Sequence, residues 1–389
     1  MKKILIFSTA YYPAMSGAEI AVDEITKKIG DMEFDLITAR FSRKNLQQEK
    51  YNNVNIYRVG FGTKTLDKFL LPFLGYLKAK KLHQKNNYNI AWSLMASQAS
   101  IAASFFKKKF PQIKLLLTLQ EGDDEEYLTR YTGGNKFLYK ILIRPWHLLV
   151  FRRANYVTAI SHYLKERALA NGVDVPISII PNGVDINKFS QKISPEELDD
   201  LKQELGKKEG DIFLVQTGRL NYKNALDDVI KALPYLPENI KFLQIGRGEE
   251  LEKLKNLAKK EGVEKRVIFI DFLEHKEMVK YLQISDIFIR PSLSEGLGNS
   301  FLEAMIVGLP VIATPVGGIP DFLHDNQTGV FCQIRNPESI ANKVKELVND
   351  RDSRKIIIKQ ARELVKERYN WEKIAQDMKN IFNRLTKSE

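Results

Sequence analysis

Short runs rich in Val, Ile and Leu alternate with amphipathic stretches along almost the whole chain. In the first half, the runs at 4–8, 34–38, 54–59, 90–94, 114–119, 156–160 and 177–180 read as strands. Between most of them, apolar positions recurring every three or four residues predict helices, as at 19–29, 66–84 and 164–170. The second half restarts the rhythm, with strands at 212–217, 240–245, 266–270, 286–290, 311–313 and 330–333. Its helices are predicted at 225–233, 249–261, 301–307 and 338–348. Strand and helix in strict alternation mean a parallel sheet covered by helices on both faces, so two such series predict two doubly wound α/β domains. The break falls at Pro181-Asn182-Gly183-Val184-Asp185, a turn cluster followed by the polar stretch 190–200. After Asp352 the sequence is charged and helical, with Trp371 and Phe382 as apolar anchors.

Composition narrows the class. At roughly 150 residues per domain, 389 residues allow two or three domains, each able to bury a core. Hydrophobic residues at 44% and charged residues at 28% exclude a disordered, collagen-like or coiled-coil chain. No apolar run approaches the ~20 residues that span a bilayer, and the greasiest stretch, 137–151, is broken by Lys140, Arg144, Pro145 and His147. The apolar segment 4–7 after Met1-Lys2-Lys3 is too short for a signal peptide and reads as a first strand. The single cysteine, Cys332, excludes an intrachain disulfide and a cysteine-based zinc site and fits a reducing compartment. A cytoplasmic protein is expected.

Charge adds one partner class. The net charge is +12, from 60 basic and 48 acidic residues, and residues 1–183 hold 27 of the former against 15 of the latter. The excess gathers at Lys78, Lys80, Lys81 and Lys85, at Lys107-Lys108-Lys109 with Lys114, and around Arg144, Arg152 and Arg153. Phe69, Leu70, Leu71, Phe73 and Leu74 adjoin the first cluster, Phe105, Phe106 and Phe110 the second, and all are read as exposed. Basic residues beside aromatic ones suit an anionic membrane surface, at about 1 kcal/mol per basic residue near the headgroups. Peripheral contact at the inner membrane face is therefore expected, against a competing reading of solvated helix faces. No helix-turn-helix, RNA-recognition or zinc-finger signature accompanies the charge, which argues against nucleic acid.

In open parallel sheets, ligands bind beyond the carboxyl ends of the strands. The strongest chemical signal sits there: Ser294-Glu295-Gly296-Leu297-Gly298-Asn299-Ser300-Phe301-Leu302-Glu303-Ala304, after the strand ending at Arg290 and its Pro291 stop. Gly296 and Gly298 let backbone N–H groups approach a ligand, and Asn299 is read as the N-cap of the following helix. A glycine loop opening into a helix N-terminus is an anion site. Glu295 in the loop and Glu303 in the first turns of the helix are acceptors for sugar hydroxyls. For either glutamate alone, a surface carboxylate on a capped helix is the competing reading.

The pair Glu295 and Glu303, within E-G-L-G-N-S-F-L-E-A-M-x-x-G-L-P-V-I-A, resembles the signature of the retaining glycosyltransferases of family 4. Ile180-Pro181-Asn182-Gly183-Val184-Asp185 is similar to that family's interdomain junction, and Gly218-Arg219-Leu220-Asn221-Tyr222-Lys223-Asn224 to its Gly-Arg…Lys loop. Ser16-Gly17-Ala18-Glu19 resembles its glycine loop after the first strand. The resemblance implies a GT-B fold, two facing Rossmann-like domains with an interdomain cleft. It divides the chain into an acceptor-side domain, 1–183, a nucleotide-sugar domain, 184–365, and a C-terminal helix, 366–389, packing back on the first.

It also implies roles. Arg219 and Lys223 would clamp the donor diphosphate, Glu303 would take the ribose hydroxyls, and Glu295 would take those of the transferred sugar. Gly298 and Asn299 would hold sugar and phosphate, Gly17 would close on the diphosphate, and Gly218 and Gly246, the latter in Gly246-Arg247-Gly248, would line the nucleotide pocket. The implied function is transfer of a hexosyl unit from a nucleoside-diphosphate sugar to a glycan or lipid-linked hydroxyl with retention. The alternatives are a phosphorylase or hydrolase on the same fold, and a non-catalytic module binding membrane surfaces. Two departures stand out. Arg219 and Lys223 are four residues apart where the family more often has five. Where many members place a histidine after the strand ending at Leu119, this chain has Gln120-Glu121-Gly122-Asp123-Asp124-Glu125-Glu126. Glu121 or Asp123 is the substitute candidate there, and His162, after Ser161 at a strand end, is a third candidate substrate contact. No metal or other cofactor is expected: the five histidines lack ligand spacing, and the one Asp-x-Asp string, Asp350-Arg351-Asp352, lies in a charged helical region.

Overall fold

The computed structural model describes residues 1–121, 129, 133–142 and 144–386. It forms two compact units, Met1–Asn182 with Trp371–Glu389, and Gly183–Asn370. The first unit runs β1 (Lys2–Phe7), α1 (Gly17–Lys28), β2 (Met32–Ala39), β3 (Gln48–Tyr51), β4 (Val54–Val59), α2 (Lys64–Asn86), β5 (Ile90–Leu94) and α3 (Gln98–Lys109). It continues through β6 (Lys114–Leu119), α4 (Lys136–Leu142), α5 (Arg144–Arg153), β7 (Tyr156–Ala159), α6 (His162–Ala170) and β8 (Ile177–Ile179). Among the described residues these strands make one eight-stranded sheet in the order β3-β4-β2-β1-β5-β6-β7-β8. Every pairing is parallel except β3 on β4.

The central strands are buried on both faces, so they read as continuous apolar runs rather than alternating ones. One face is closed by α1 and by the chain's last helix, Trp371–Thr386. That helix buries Trp371, Ile374, Met378 and Phe382 on one side, and the Phe382 ring meets Trp92 edge-on at 5.3 Å. The opposite face is closed by α2 and α3, whose Leu71, Ala79, Ala102 and Phe106 are fully buried beside Leu5 and Phe7. This corrects the reading of Leu71 and Phe106 as exposed: both belong to the inward stripes of their helices, while Phe69 and Phe73 face solvent. A second correction concerns the stretch between the strands read at 34–38 and 54–59, where the apolar pattern marks no strand. Gln48–Tyr51 pairs antiparallel with β4 as an edge strand, and its polar residues suit an edge that must not recruit another chain.

The second unit runs α7 (Ile186–Phe189), α8 (Pro195–Glu204), β9 (Ile212–Thr217), α9 (Leu226–Ala232), β10 (Ile240–Ile245), α10 (Leu251–Lys260), β11 (Val267–Ile270) and α11 (Met278–Gln283). Then come β12 (Ile287–Arg290), α12 (Asn299–Val307), β13 (Val311–Ala313), β14 (Val330–Phe331), α13 (Pro337–Asn349) and α14 (Arg351–Arg368), and the last helix of the first unit becomes α15. Its six strands, among the described residues, are all parallel in the order β11-β10-β9-β12-β13-β14. The strand order reverses between β1 and β5 in the first sheet and between β9 and β12 in the second. Loops diverge to opposite faces at such switch points, opening a crevice at the strands' carboxyl ends. No described helix is long and apolar enough to cross a membrane.

Two outcomes follow from this packing. Phe382→Ala should destabilise the first unit by about 3–5 kcal/mol, read by chemical denaturation, because its ring fills a fully buried position against Trp92 and Phe34. Burial pushes the Cys332 thiol up to about 12, so in the native protein at neutral pH it should resist iodoacetamide, with mass spectrometry finding alkylation only after unfolding.

Candidate functional site

The second unit's switch point collects most of the sequence candidates. The chain leaving β9 enters Gly218-Arg219-Leu220, and the chain leaving β12 passes Pro291 into the Glu295 loop and α12. These loops are bound to their neighbours through the main chain. Gly218 N donates to the Ile245 carbonyl at 2.9 Å and Leu220 N to that of Arg247 at 3.0 Å. Gly246 sits at φ +133°, and a β-carbon there would lie 2.1 Å from the Gly218 carbonyl oxygen. One at Gly248 would lie 2.0 Å from that of Leu220. The Gly246-Arg247-Gly248 string therefore has a packing reason: two strand-end loops touch backbone to backbone. Across the switch point, Leu293 N donates to the Lys223 carbonyl at 2.7 Å.

At the centre lies a residue that the sequence reading missed. Arg290, the last residue of β12, is 6% exposed, yet its guanidinium is partnered on three sides. Nη2 binds Glu295 Oε2 at 2.8 Å, Nη1 donates to Ser300 Oγ at 2.9 Å, and the Phe301 ring lies 4.2 Å from its Cζ. Burial lowers the guanidinium's pKa, and the charges of Glu295 and Glu303 oppose that shift. Gly298 makes room for this cluster. It is at φ +91°, and a β-carbon would sit 2.5 Å from the Phe301 ring and 2.9 Å from Arg290 Nη2. Gly298 is also the N-cap of α12, which corrects the reading of Asn299 as cap: the helix begins one residue earlier, with Asn299 as its first residue. The main chain of Glu295 is held as firmly as its carboxylate. Gly318 N donates to the Glu295 carbonyl at 3.1 Å, and a β-carbon at Gly317 would stand 1.9 Å from that oxygen.

Glu303, on α12, has a different partner. Its Oε1 accepts from His275 Nε2 at 2.8 Å, while His275 Nδ1 lies 2.9 Å from Lys188 Nζ. An ammonium group only donates, so Nδ1 accepts and Nε2 is the nitrogen that donates to Glu303. The His275 ring packs edge-on to Phe189 at 5.2 Å. His275 also escaped the sequence reading, since nothing in its flanking loop marks it as a neighbour of a helix 28 residues on. Lys223 lies in a 3-10 turn, Tyr222–Asn224, capped by Asn221 and tied back by Asn224 Nδ2 donating to the Arg219 carbonyl at 2.6 Å. The Arg219 side chain is exposed and makes no ion pair among the described residues.

Candidates in the first unit stand at three separate strand-to-helix junctions. Gly17 opens α1 behind Ser16, whose backbone N–H donates to Glu19 at 2.9 Å. Glu121 follows β6 and lines a cavity of about 40 Å³ with Arg144, His147 and Arg167. Next to it, the amides of Gln120 and Asn182 bond reciprocally at 3.0 and 2.8 Å, fixing where that loop departs. His162 is the exposed first residue of α6. Asp123 lies outside the described residues. Among the described residues no group of three or more His, Cys, Asp or Glu could hold a metal ion. Asp350 of the Asp-x-Asp string caps α14, accepting from Ser353 N at 2.9 Å.

Comparison with known proteins agrees with this architecture. Residues 15–188 match the family described as Glycosyltransferase Family 4, and residues 198–364 match Glycosyl transferases group 1. An uncharacterized glycosyltransferase of Methanocaldococcus jannaschii is 28% identical, the match covering 98% of each chain. Among solved structures, sucrose-phosphate synthase from Thermosynechococcus elongatus superposes with a TM-score of 0.82 at 18% identity over 99% of each chain. Anabaena HepE, solved in complex with UDP-glucose, superposes with a TM-score of 0.80 at 19% identity, covering 99% of this chain and all of its own. Both halves matched in order, on two parallel α/β units of GT-B fold, make this chain a member of the family 4 glycosyltransferases.

Proposed function

We propose that the enzyme transfers a hexosyl unit from a nucleoside-diphosphate sugar to a hydroxyl of a glycan or lipid-linked acceptor, with retention at the anomeric carbon and without a metal. It works in the cytoplasm, in peripheral contact with the inner face of an anionic membrane. One observation carries the donor assignment: the loops bearing Arg219, Lys223 and Glu295, with the N-terminus of α12, follow the two strands β9 and β12 that flank the switch point, and Leu293 N bonds the Lys223 carbonyl across it. The UDP-glucose bound by Anabaena HepE, of the same fold, supports that donor class.

As the bond from the anomeric carbon to the diphosphate breaks, negative charge collects on the leaving oxygens. Arg219, Lys223 and the first N–H groups of α12 at Asn299 offset that charge. Glu303, oriented by His275, takes the ribose hydroxyls. Glu295, oriented by Arg290, takes a hydroxyl of the transferred sugar. Gly218, Gly246 and Gly298 keep the second unit's loops thin enough for the donor to approach. In the first unit, Glu121 or Asp123, together with His162, are the proposed substrate contacts. Front-side substitution balances without a protein nucleophile: the acceptor oxygen bonds to the anomeric carbon as the diphosphate leaves. The acceptor proton passes to the departing phosphate oxygen.

Thermal stabilisation by a panel of nucleoside-diphosphate sugars identifies the donor, and turnover with that donor tests the roles. Lys223→Ala should weaken nucleoside-diphosphate binding by about tenfold or more in calorimetry, and unchanged affinity would remove its diphosphate role. Glu295→Gln should lower kcat by about 10²-fold while nucleotide affinity holds; a wild-type rate would sink the assignment. Arg290→Lys keeps the charge but cannot reach Glu295 and Ser300 together. Its kcat should therefore drop by about tenfold or more with little change in nucleotide affinity. Arg290→Met, which strands a carboxylate, should cost about 3–5 kcal/mol of stability in denaturant titration.

A further inference from the structure

Helix α2 carries two apolar stripes, and the fold uses only one. Leu71, Gly75, Ala79 and Leu82 are buried against the sheet and α3, where a β-carbon at Gly75 would lie 3.2 Å from that of Ala102. Leu66, Phe69, Phe73 and Leu77, three, four and four residues apart, occupy the opposite side. All four are exposed, Phe69 and Phe73 by 68% and 60%. A surface helix ordinarily turns polar residues to water on that side. The stripe continues beyond the helix: Phe73 touches Phe105 with ring centroids 6.1 Å apart, and Phe105 touches the exposed Trp146 of α5 at 6.3 Å. Helix α4, which packs on α5, adds exposed Phe137 and Ile141.

The charge beside this stripe has one sign. Lys64, Lys68, Lys78, Lys80, Lys81 and Lys85 lie on α2, and α3 ends in Lys107-Lys108-Lys109. The only acid on α2, Asp67, is buried and accepts from the N–H groups of Phe61, Gly62 and Thr63. It therefore caps the helix start and does not offset the lysines at the surface. Lys78 shows the crowding: burial lowers its pKa, and the nearby Lys81 and Lys85 lower it further. A second copy of this face would set lysines against lysines. An anionic bilayer complements both features at once, apolar side chains below the headgroups and ammonium groups among the phosphates.

We infer that the α2 face, centred on Phe69, Phe73 and Leu77 and rimmed by Lys80, Lys81 and Lys85, is the surface by which this enzyme seats on an anionic lipid bilayer. The inference rests on the peripheral membrane contact proposed above and names the surface responsible. Co-sedimentation of the full chain with vesicles tests it. Wild-type protein should pellet with phosphatidylcholine vesicles containing about 30 mol% phosphatidylglycerol, and much less with phosphatidylcholine alone or in high salt. Phe69→Asp with Phe73→Asp should lower partitioning by about tenfold or more, as should Lys80→Glu with Lys81→Glu, while nucleoside-diphosphate binding stays intact. Wild-type protein left in the supernatant overturns the membrane contact itself. Wild-type pelleting that the Phe69/Phe73 variant shares overturns only the assignment of this face. A wild-type dimer in sedimentation velocity that the same variant dissolves gives the face to a second copy and overturns the inference.

Discussion

A guanidinium taken out of water must recover several kcal/mol of lost hydration from fixed partners, and that demand at Arg290 organises the second unit's strand ends. Glu295 supplies the opposite charge, Ser300 a hydroxyl oxygen, and Phe301 the face of a ring. None of these three precedes Arg290 in the chain, so the segment after β12 must fold back over the strand it has just left. That return sets the shape of the loop, puts Gly298 where only a glycine fits, and starts α12 where it does. The carboxylate that ends beside Arg290 is consequently not free to choose among rotamers. On the proposed function, a sugar hydroxyl arriving there would meet an acceptor already in position, which is the economy of a preorganised site.

The neighbouring loops add a constraint of another kind. Side chains cannot be interposed between Gly218 and Gly246, between Leu220 and Gly248, or between Glu295 and Gly317, because the main chains are in van der Waals contact or closer to any added β-carbon. Close backbone approach brings strand-end loops into one mesh held by N–H to carbonyl bonds. On the proposed function, cations placed on such a mesh would keep their positions as a diphosphate arrives, and the charge they offset would grow during bond breaking. On that reading Arg219 and Lys223, exposed or half-exposed residues on short turns, differ from ordinary surface charges.

Much of this was legible from the sequence, and the failures have physical causes. Alternating strand and helix patterns fixed the α/β class because parallel sheets bury both faces and so write long apolar runs. The Glu295 to Glu303 string was legible because glycines, a helix start and two acids fall within one contiguous segment. Arg290 and His275 were not, since each matters through a contact that no spacing records: one looks like a strand's polar end, the other like a loop residue. Gln48–Tyr51 was missed because an edge strand protected by polar side chains lacks the alternation that announces a strand. Asn299 was misplaced by one position because Asn is a favoured cap, and here the positive φ of Gly298 overrides that preference. Leu71 and Phe106 were assigned to the surface along with their neighbours because composition alone does not tell the two sides of a helix apart.

The two units depart from ordinary folding rules in opposite directions, and each departure coincides with a proposed site. In the second unit a charge is drawn inward, with Gln216, Gln244 and Ser292 also buried near the strand ends and holding side-chain atoms with no hydrogen-bond partner among the described residues. In the first unit, apolar side chains are turned outward along α2. Neither arrangement adds to stability: buried polar atoms forfeit hydration, and exposed phenylalanines forfeit burial. A sequence under selection for stability alone would replace Phe69 or Phe73 with Lys or Glu at no cost to the core, since the inward stripe of α2 is complete without them. Their presence on a helix already rich in lysine fits the proposed seat on an anionic bilayer, where the phenylalanines would no longer be exposed and the lysines would meet opposite charge.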